Sequence, residues 1–342
     1  MSISKTELKD IGEFKLIDIL TQNFKLRNKS SVYGIGDDAA VIDTGTDYTL
    51  VATDMLVEGI NFDLTYSPLK HVGYKAVVAN IADITAMNGI AEQITVSIGI
   101  SSRFTLEALQ ELYQGIYTAC ERYQLDLVGG DTTSAAAGLI ISITAIGKVS
   151  KDRLCLRKGA KPYDLICVTG DLGAAYVGLQ VLNREKKLFE ADPAMQPKLD
   201  PYKYVVERHL KPEARIDIIE LFDKLGLVPA SMIDISDGLA SELLQISKAS
   251  EVGLTIYENK LPINQQTYET SEALHLSPTL CALHGGEDYE LLFTISQQDL
   301  SKIENNPNIH VIGYVTGLDQ GVKLVTNSDV AVDITAQGWG NY

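Results

Sequence analysis

The sequence predicts an α/β (α+β) protein made of two mixed domains, and three observations carry that expectation. Its 342 residues exceed the roughly 250–300 at which a single hydrophobic core stops growing. Segments with the two-residue period of strands alternate with helical-period segments through both halves. Hydrophobic residues make up 45% and charged residues 22% of the chain, ordinary proportions for a globular protein.

In chain order, residues 6–27 carry Leu8, Ile11, Phe14, Ile17 and Leu20 at helical spacing, and SVYGIGDDAAVID reads as a glycine turn entering a strand. TLVATD at 49–54 and QITVSIGI at 93–100 read as strands flanking a long helix, HVGYKAVVANIADITAMNG, closed by Gly89. A helix near 105–123 repeats Leu106, Leu109, Leu112, Ile116 and Cys120; the strand LDLV, a turn GGD and the strand LIISITAIGKV follow. The stretch SKDRLCLRKGAKPYD, near 150–164, is locally basic and holds Gly159 and Pro162, as a connection does, so the domains are set at 1–149 and 150–342. Beyond it, DLICVTG is a strand entering a helix, 213–225 and 238–250 are helical, and GLTIYE, YELLFTI and HVIGYV are strands.

Composition excludes several classes. A net charge of −16, from 45 acidic and 29 basic residues with no Lys/Arg run, opposes a nucleic-acid partner. No stretch approaches the roughly 20 apolar residues of a membrane span. The N-terminal residues mix charges among apolar ones, unlike a secretory signal, so a cytoplasmic location is expected. Cys120, Cys155, Cys167 and Cys281 lie far apart without CxxC or metal-ligand spacing, the pattern of buried thiols.

The chemistry lies in acidic residues at apparent strand ends: Asp37 and Asp38 in GIGDDAA, Asp54 in ATD, Asp83 in NIADITAM, Asp131 in VGGDTT, Asp234 and Asp237 in DISDG. Taken singly, each is more often a turn or helix cap. Taken jointly, carboxylates converging without cations would repel strongly, so they point to several Mg2+ ions and a polyphosphate. No GxxxxGK[ST] loop and no protein-kinase signature set is present, so ATP would be held by another device.

The order of these motifs resembles the thiamine-monophosphate kinase family, within the superfamily that includes aminoimidazole-ribonucleotide synthetase and selenophosphate synthetase. The resemblance runs through GIGDDAA at 34–40, TDMLVEGINF at 53–62, NIADITAMNG at 80–89, VGGDTT at 128–133, RKGAKPYD at 157–164, IDISDGL at 233–239 and GGEDYEL at 285–291. It implies ATP-dependent phosphorylation of thiamine monophosphate to thiamine diphosphate. It also implies an aminoimidazole-ribonucleotide synthetase-like fold and a homodimer paired through the N-terminal sheets. By motif, Asp38, Thr53, Asp54, Asp83, Asp131, Asp234 and Asp237 would hold magnesium. Gly130, Asp131, Arg157 and Ser236 would contact ATP; Asn61, Glu287 and Trp339 would face the substrate; and Asp131, Asp234 and Arg157 would carry catalysis. Read without the resemblance, Glu287 is also a turn cap and Trp339 a packing residue. The chain departs from the family at Asn61, where histidine is frequent, and at Ala52, where a hydroxyl residue is frequent. The first cysteine, Cys120, stands too late for a selenophosphate synthetase. A kinase for another phosphorylated metabolite and a non-catalytic nucleotide-binding scaffold remain the alternatives.

Overall fold

The computed structural model describes residues 13–336. The first half runs α1 (Glu13–Thr21), β1 (Ser31–Tyr33), β2 (Ala40–Asp43), β3 (Asp47–Val57), α2 (Leu69–Ala86), β4 (Ile90–Ile100), α3 (Leu106–Tyr123), β5 (Asp126–Ser134) and β6 (Leu139–Ser150). These strands form a six-stranded sheet in the order β1-β2-β3-β6-β4-β5. Only β4 and β5 pair in parallel, and α3 supplies the crossover such a pair needs. Burial alternates along β6, where Leu139, Ile141, Ile143 and Ala145 face the core and the intervening residues do not. The opposite face carries Thr53, Thr144 and Thr95 in one row and Met55, Ser142, Ser97 and Asp131 in the next, all half-buried or exposed.

Helix α2 is buried on nearly all sides, from Val72 through Ala82, because it lies between this sheet, α3 and the second half of the chain. Two glycines permit the approach of α3: a Cβ on Gly73 would stand 2.1 Å from Leu112 O, and one on Gly115 would stand 1.9 Å from Lys70 O.

The second half runs β7 (Leu165–Thr169), α4 (Ala174–Ala191), α5 (Lys203–Leu210), α6 (Ile216–Lys224), β8 (Ser231–Asp234), α7 (Leu239–Ser250) and β9 (Gly253–Tyr257). It continues with α8 (Gln265–Ala273), α9 (Pro278–His284), β10 (Leu291–Ile295), α10 (Leu300–Ile303), β11 (Ile309–Thr316), β12 (Val322–Val325) and β13 (Ala331–Asp333). A seven-stranded sheet results, ordered β13-β12-β9-β11-β7-β10-β8. Its central strands are buried on both faces. Ile166, Val168 and Leu292 join a core with Leu239 and Leu243 of α7, whereas Cys167, Leu291 and Phe293 join a core with Phe222 of α6. Ala86 of α2 and Cys155 of the connection belong to the Phe222 core and tie the halves together. All four cysteines are buried. No helix among the described residues is long and apolar enough to cross a membrane.

Three local expectations are corrected. The first helix, expected over 6–27, ends at Thr21; Leu20 and Phe24 are more than two-thirds exposed, so the helical period buries too little to extend it. Helix α2 ends at Ala86, and the left-handed residue after it is Asn88, with φ 60°. Gly89 serves space instead, because a Cβ there would meet Leu50 at 2.4 Å. The GGD segment is no turn but the middle of β5. Gly130 lets that strand lie close to β4, since its Cβ would fall 1.9 Å from Val96 O.

Candidate active site

Strand β2 pairs with β3 only as far as Ala40 opposite Val51, so the edge of β3 beyond Val51 is left open on that side. Thr53, Asp54, Met55 and Leu56 on this stretch form one wall of a cavity of about 480 Å³. Asp83 of α2, Asp234 at the end of β8 and the loops carrying Asp38, Arg157, Asp237 and Glu287 supply the rest. Oxygens of Asp38, Asp83 and Asp234 lie within 4.8 Å of one another.

Each element is held in place by its own motif. Asn80, fully buried in NIAD, accepts the Asp54 N–H at 2.9 Å and donates to Ala76 O at 2.9 Å, pinning α2 to β3. The Ala39 N–H points to Met87 Sδ at 3.0 Å. The DISDG and GGEDYEL segments interlock through backbone bonds: Ile235 N to Glu290 O, Tyr289 N to Ile235 O and Glu287 N to Ser236 O. Thr53 donates its hydroxyl to Ile143 O at 3.0 Å and accepts from Thr144 Oγ1 at 3.1 Å, which leaves an oxygen lone pair for a further partner.

Arg157 donates through Nε and Nη2 to Asp38 Oδ1 at 3.1 and 2.5 Å, and its backbone N–H contacts both oxygens of Asp37 at 3.3 Å. Burial raises the Asp38 pKa, against the pull of Arg157. Burial, with Asp38 beside it, lifts Asp37 to about 7. Asp83 is driven well above the carboxylate range by burial and then by Asp54, Asp234 and Asp38; Asp234 is driven up by burial and by Asp38, Asp54 and Asp237. Asp38 Oδ2 is buried without a hydrogen-bond partner. An orphaned oxygen among mutually repelling carboxylates fits a hard divalent cation, whose charge would remove the repulsion.

Of the residues expected from sequence, Asp38, Thr53, Asp54, Asp83, Arg157, Asp234, Ser236, Asp237, Asn61 and Glu287 all line this cavity. Asn61 also accepts the Val57 N–H at 2.9 Å, so its carbonyl oxygen shapes its own turn. Gly130 and Asp131 stand apart on β5, with β6 and β4 between them and β3, roughly 14 Å away at the usual strand spacing. Trp339 lies outside the described residues.

Sequence reasoning missed four residues. Glu242 of α7 is buried, lines the cavity and accepts the Asp237 N–H at 2.9 Å. Burial, then Asp237 and Asp234, raise its pKa well above the usual range. Tyr289 presents a buried phenol whose proton is held by burial and the surrounding carboxylates. Lys75 and His209 contact Glu287. Only Lys75 left a signal, as a charge inside the apolar run VGYKAVVA. An adjoining cavity of about 820 Å³ shares Asp37, Asp38, Thr53 and Arg157 with the acidic one, and another of about 270 Å³ shares Asn61 and Glu287.

The chain is 34% identical to the thiamine-monophosphate kinase of Bacillus subtilis (strain 168), over 97% of this chain and 100% of that protein. The chain belongs to the thiamine-monophosphate kinase family. Residues 36–149 match the family described as AIR synthase related protein, N-terminal domain. Among solved structures, AaThiL complexed with AMPPCP and TMP superposes on this family member with a TM-score of 0.84 at 29% identity, covering 99% of this chain and 100% of that one. The thiamine monophosphate kinase from Aquifex aeolicus gives 0.77 at 27% identity, over 96% and 100%. The expected fold, including its aminoimidazole-ribonucleotide synthetase-like character, is therefore borne out.

Proposed function

We propose that the protein transfers the γ-phosphoryl group of ATP to the phosphate of thiamine monophosphate, releasing ADP and thiamine diphosphate. The carrying observation is the convergence of Asp38, Asp83 and Asp234 in the cavity that Thr53 and Asp54 of β3 also line, in a chain that matches relatives of that name along nearly its whole length. The AaThiL structure, complexed with AMPPCP and TMP, supports the same pair of substrates.

The acceptor is a phosphate monoester whose second pKa is about 6, so its oxygen is already anionic at neutral pH and no dedicated base is needed. The barrier is repulsion between two anions, which makes positioning and charge neutralisation the work of the site. Asp38, Thr53, Asp54, Asp83, Asp234 and Asp237 would hold Mg2+; Asp131, across the sheet in its own chain, would join them only from a second copy. An Mg2+ held by these residues would supply positive charge against the phosphates. Arg157 has five donors, and Asp38 orients its guanidinium through Nε and Nη2. Ser236, Gly130 and Asp131 complete the ATP contacts in this reading; Asn61, Glu287 and Trp339 face the thiamine phosphate.

The reading extends to the whole chain. Residues 1–149 form the ATP- and magnesium-binding domain that dimerises through the uncovered sheet face, and residues 150–342 form the domain that adds nucleotide, metal and substrate contacts. It works in the cytoplasm. The test is ADP release from ATP and Mg2+ with thiamine monophosphate, against free thiamine and no acceptor, with the product identified by mass. Thiamine diphosphate formed only from thiamine monophosphate supports the reading; ATP binding without that product overturns it in favour of another acceptor or a silent scaffold.

A further inference from the structure

The acidic cavity and the 270 Å³ cavity beside it share a charged side chain, Glu287, whose carboxylate is clamped from two sides. Lys75, in the middle of α2, places Nζ 2.8 Å from Oε1. His209, on α5, places Nδ1 3.2 Å from Oε2. Both partners are buried, at 5% and 3% exposure. The backbone is fixed as well: Glu287 holds a left-handed φ of 58°, and its N–H donates to Ser236 O at 2.7 Å.

A lysine buried in the apolar run VGYKAVVA of a helix is costly unless paired. The anion that pairs with it comes from the other half of the chain, at the seam of two cavities. Burial alone would push the Glu287 carboxyl up, yet Lys75 foremost, then His209, bring it down to about 2. Burial and the Lys75 charge lower the pKa of His209, against the pull of Glu287. A carboxylate offers about four lone-pair sites, and these two contacts leave capacity facing the cavities.

We propose that Lys75 is a positioning residue for acceptor selection: it fixes the Glu287 carboxylate so that the smaller cavity presents a preformed anion to an acceptor bearing a cationic or amine-substituted ring. This rests on the kinase reading above. The acceptor is then polar in two senses, with its phosphate directed to the cation-binding carboxylates and its ring to Glu287. A purely structural latch between the halves would hold the domains together equally well but would not discriminate between the two substrates.

The experiment is steady-state kinetics with Mg2+ on the full chain, varying ATP and thiamine monophosphate separately, for wild type, Lys75→Met, Lys75→Arg, Glu287→Gln and the Lys75→Met/Glu287→Gln double variant. Loss of a charge-assisted contact should raise the acceptor KM of Lys75→Met by about ten-fold or more, with the ATP KM nearly unchanged and partial recovery in Lys75→Arg. Adding Lys75→Met to Glu287→Gln should change the acceptor KM no further. The double variant buries no unpaired charge, so this comparison stands even if Lys75→Met folds poorly. Equal shifts in both KM values, no shift, or a further rise in the double variant over Glu287→Gln overturns the proposal. Wild type that makes no thiamine diphosphate removes the kinase reading itself, an outcome separable from failure of the variants alone.

Discussion

The two sheets of the molecule lie in different surroundings. In the C-terminal sheet, β8 and β10 are buried at every position, and adjacent residues enter two separate cores, Leu292 one and Phe293 the other. In the N-terminal sheet, β6 alternates inside and outside, and β5 is almost wholly exposed. The physical cause is coverage: helices lie on both faces of the first and on one face of the second. The difference teaches where each half has capacity left. The doubly covered sheet has both faces filled and contributes Asp234 and the loop after it to the site, whereas the singly covered one retains a face of Thr, Ser, Met and Asp131 side chains.

Substitutions test that contrast directly. Phe293→Ala should cost about 3–5 kcal/mol, as large-to-small changes in a packed core do, while Thr144→Ala on the uncovered face should stay within about 0.5 kcal/mol; urea melts measure both. Comparable losses would show that the N-terminal face is packed as tightly as the C-terminal core. Asp83→Asn should lower kcat on the order of 10²–10³-fold and yet raise the melting temperature of the metal-free protein, because it removes a repelling carboxylate. A fall in both would assign Asp83 to structure.

On the proposed pairing of N-terminal sheets, Thr144→Glu should convert dimer to monomer in sedimentation, since a two-fold interface brings each new charge near its own symmetry mate; a wild-type monomer or an unchanged variant dimer would overturn that pairing. The same assembly can explain why Asp131 stands far from the cavity of its own chain. If one copy's Asp131 serves the other's cavity, mixing inactive Asp131→Asn and Asp234→Asn proteins should restore about a quarter of wild-type activity by random pairing. No recovery would confine Asp131 to its own chain.

The smallest expected effect is a pH slope. Asp37 rises to about 7 in the folded protein, and Asp83 and Asp234 are driven well above the carboxylate range, whereas an unfolded aspartate titrates near about 3.9. The folded state therefore binds more protons in that window, and metal-free stability falls as pH rises from about 5 to 8. Glu287 has the opposite sign, but its window lies between about 2 and the unperturbed 4.5, below this range. Thermal melts in chelator should show the decline, and Mg2+ should flatten it; a flat chelator profile would mean the carboxylates do not repel one another.

Much of the site was legible because its motifs are local: Asp38, Asp83 and Asp234 each sit in a short segment whose glycines and apolar flanks mark a strand end or a helix. The strand containing Gly130 and Asp131 was misread as a turn, since two glycines look alike in a turn and in a strand that must lie close to its neighbour. Glu242 and His209 left no signal, because an isolated Glu or His on a helix says nothing about which cavity the helix will border.

By itself, the sequence determined the alternation of elements and the acidic chemistry, both of which follow from spacing and residue type along the chain. The tertiary structure alone decided which carboxylates meet, which stand across the sheet, and that a lysine of one half would hold a glutamate of the other. Those outcomes depend on strand order and helix packing, which bring together residues 120 to more than 200 positions apart, such as Arg157 with Asp37 and Lys75 with Glu287.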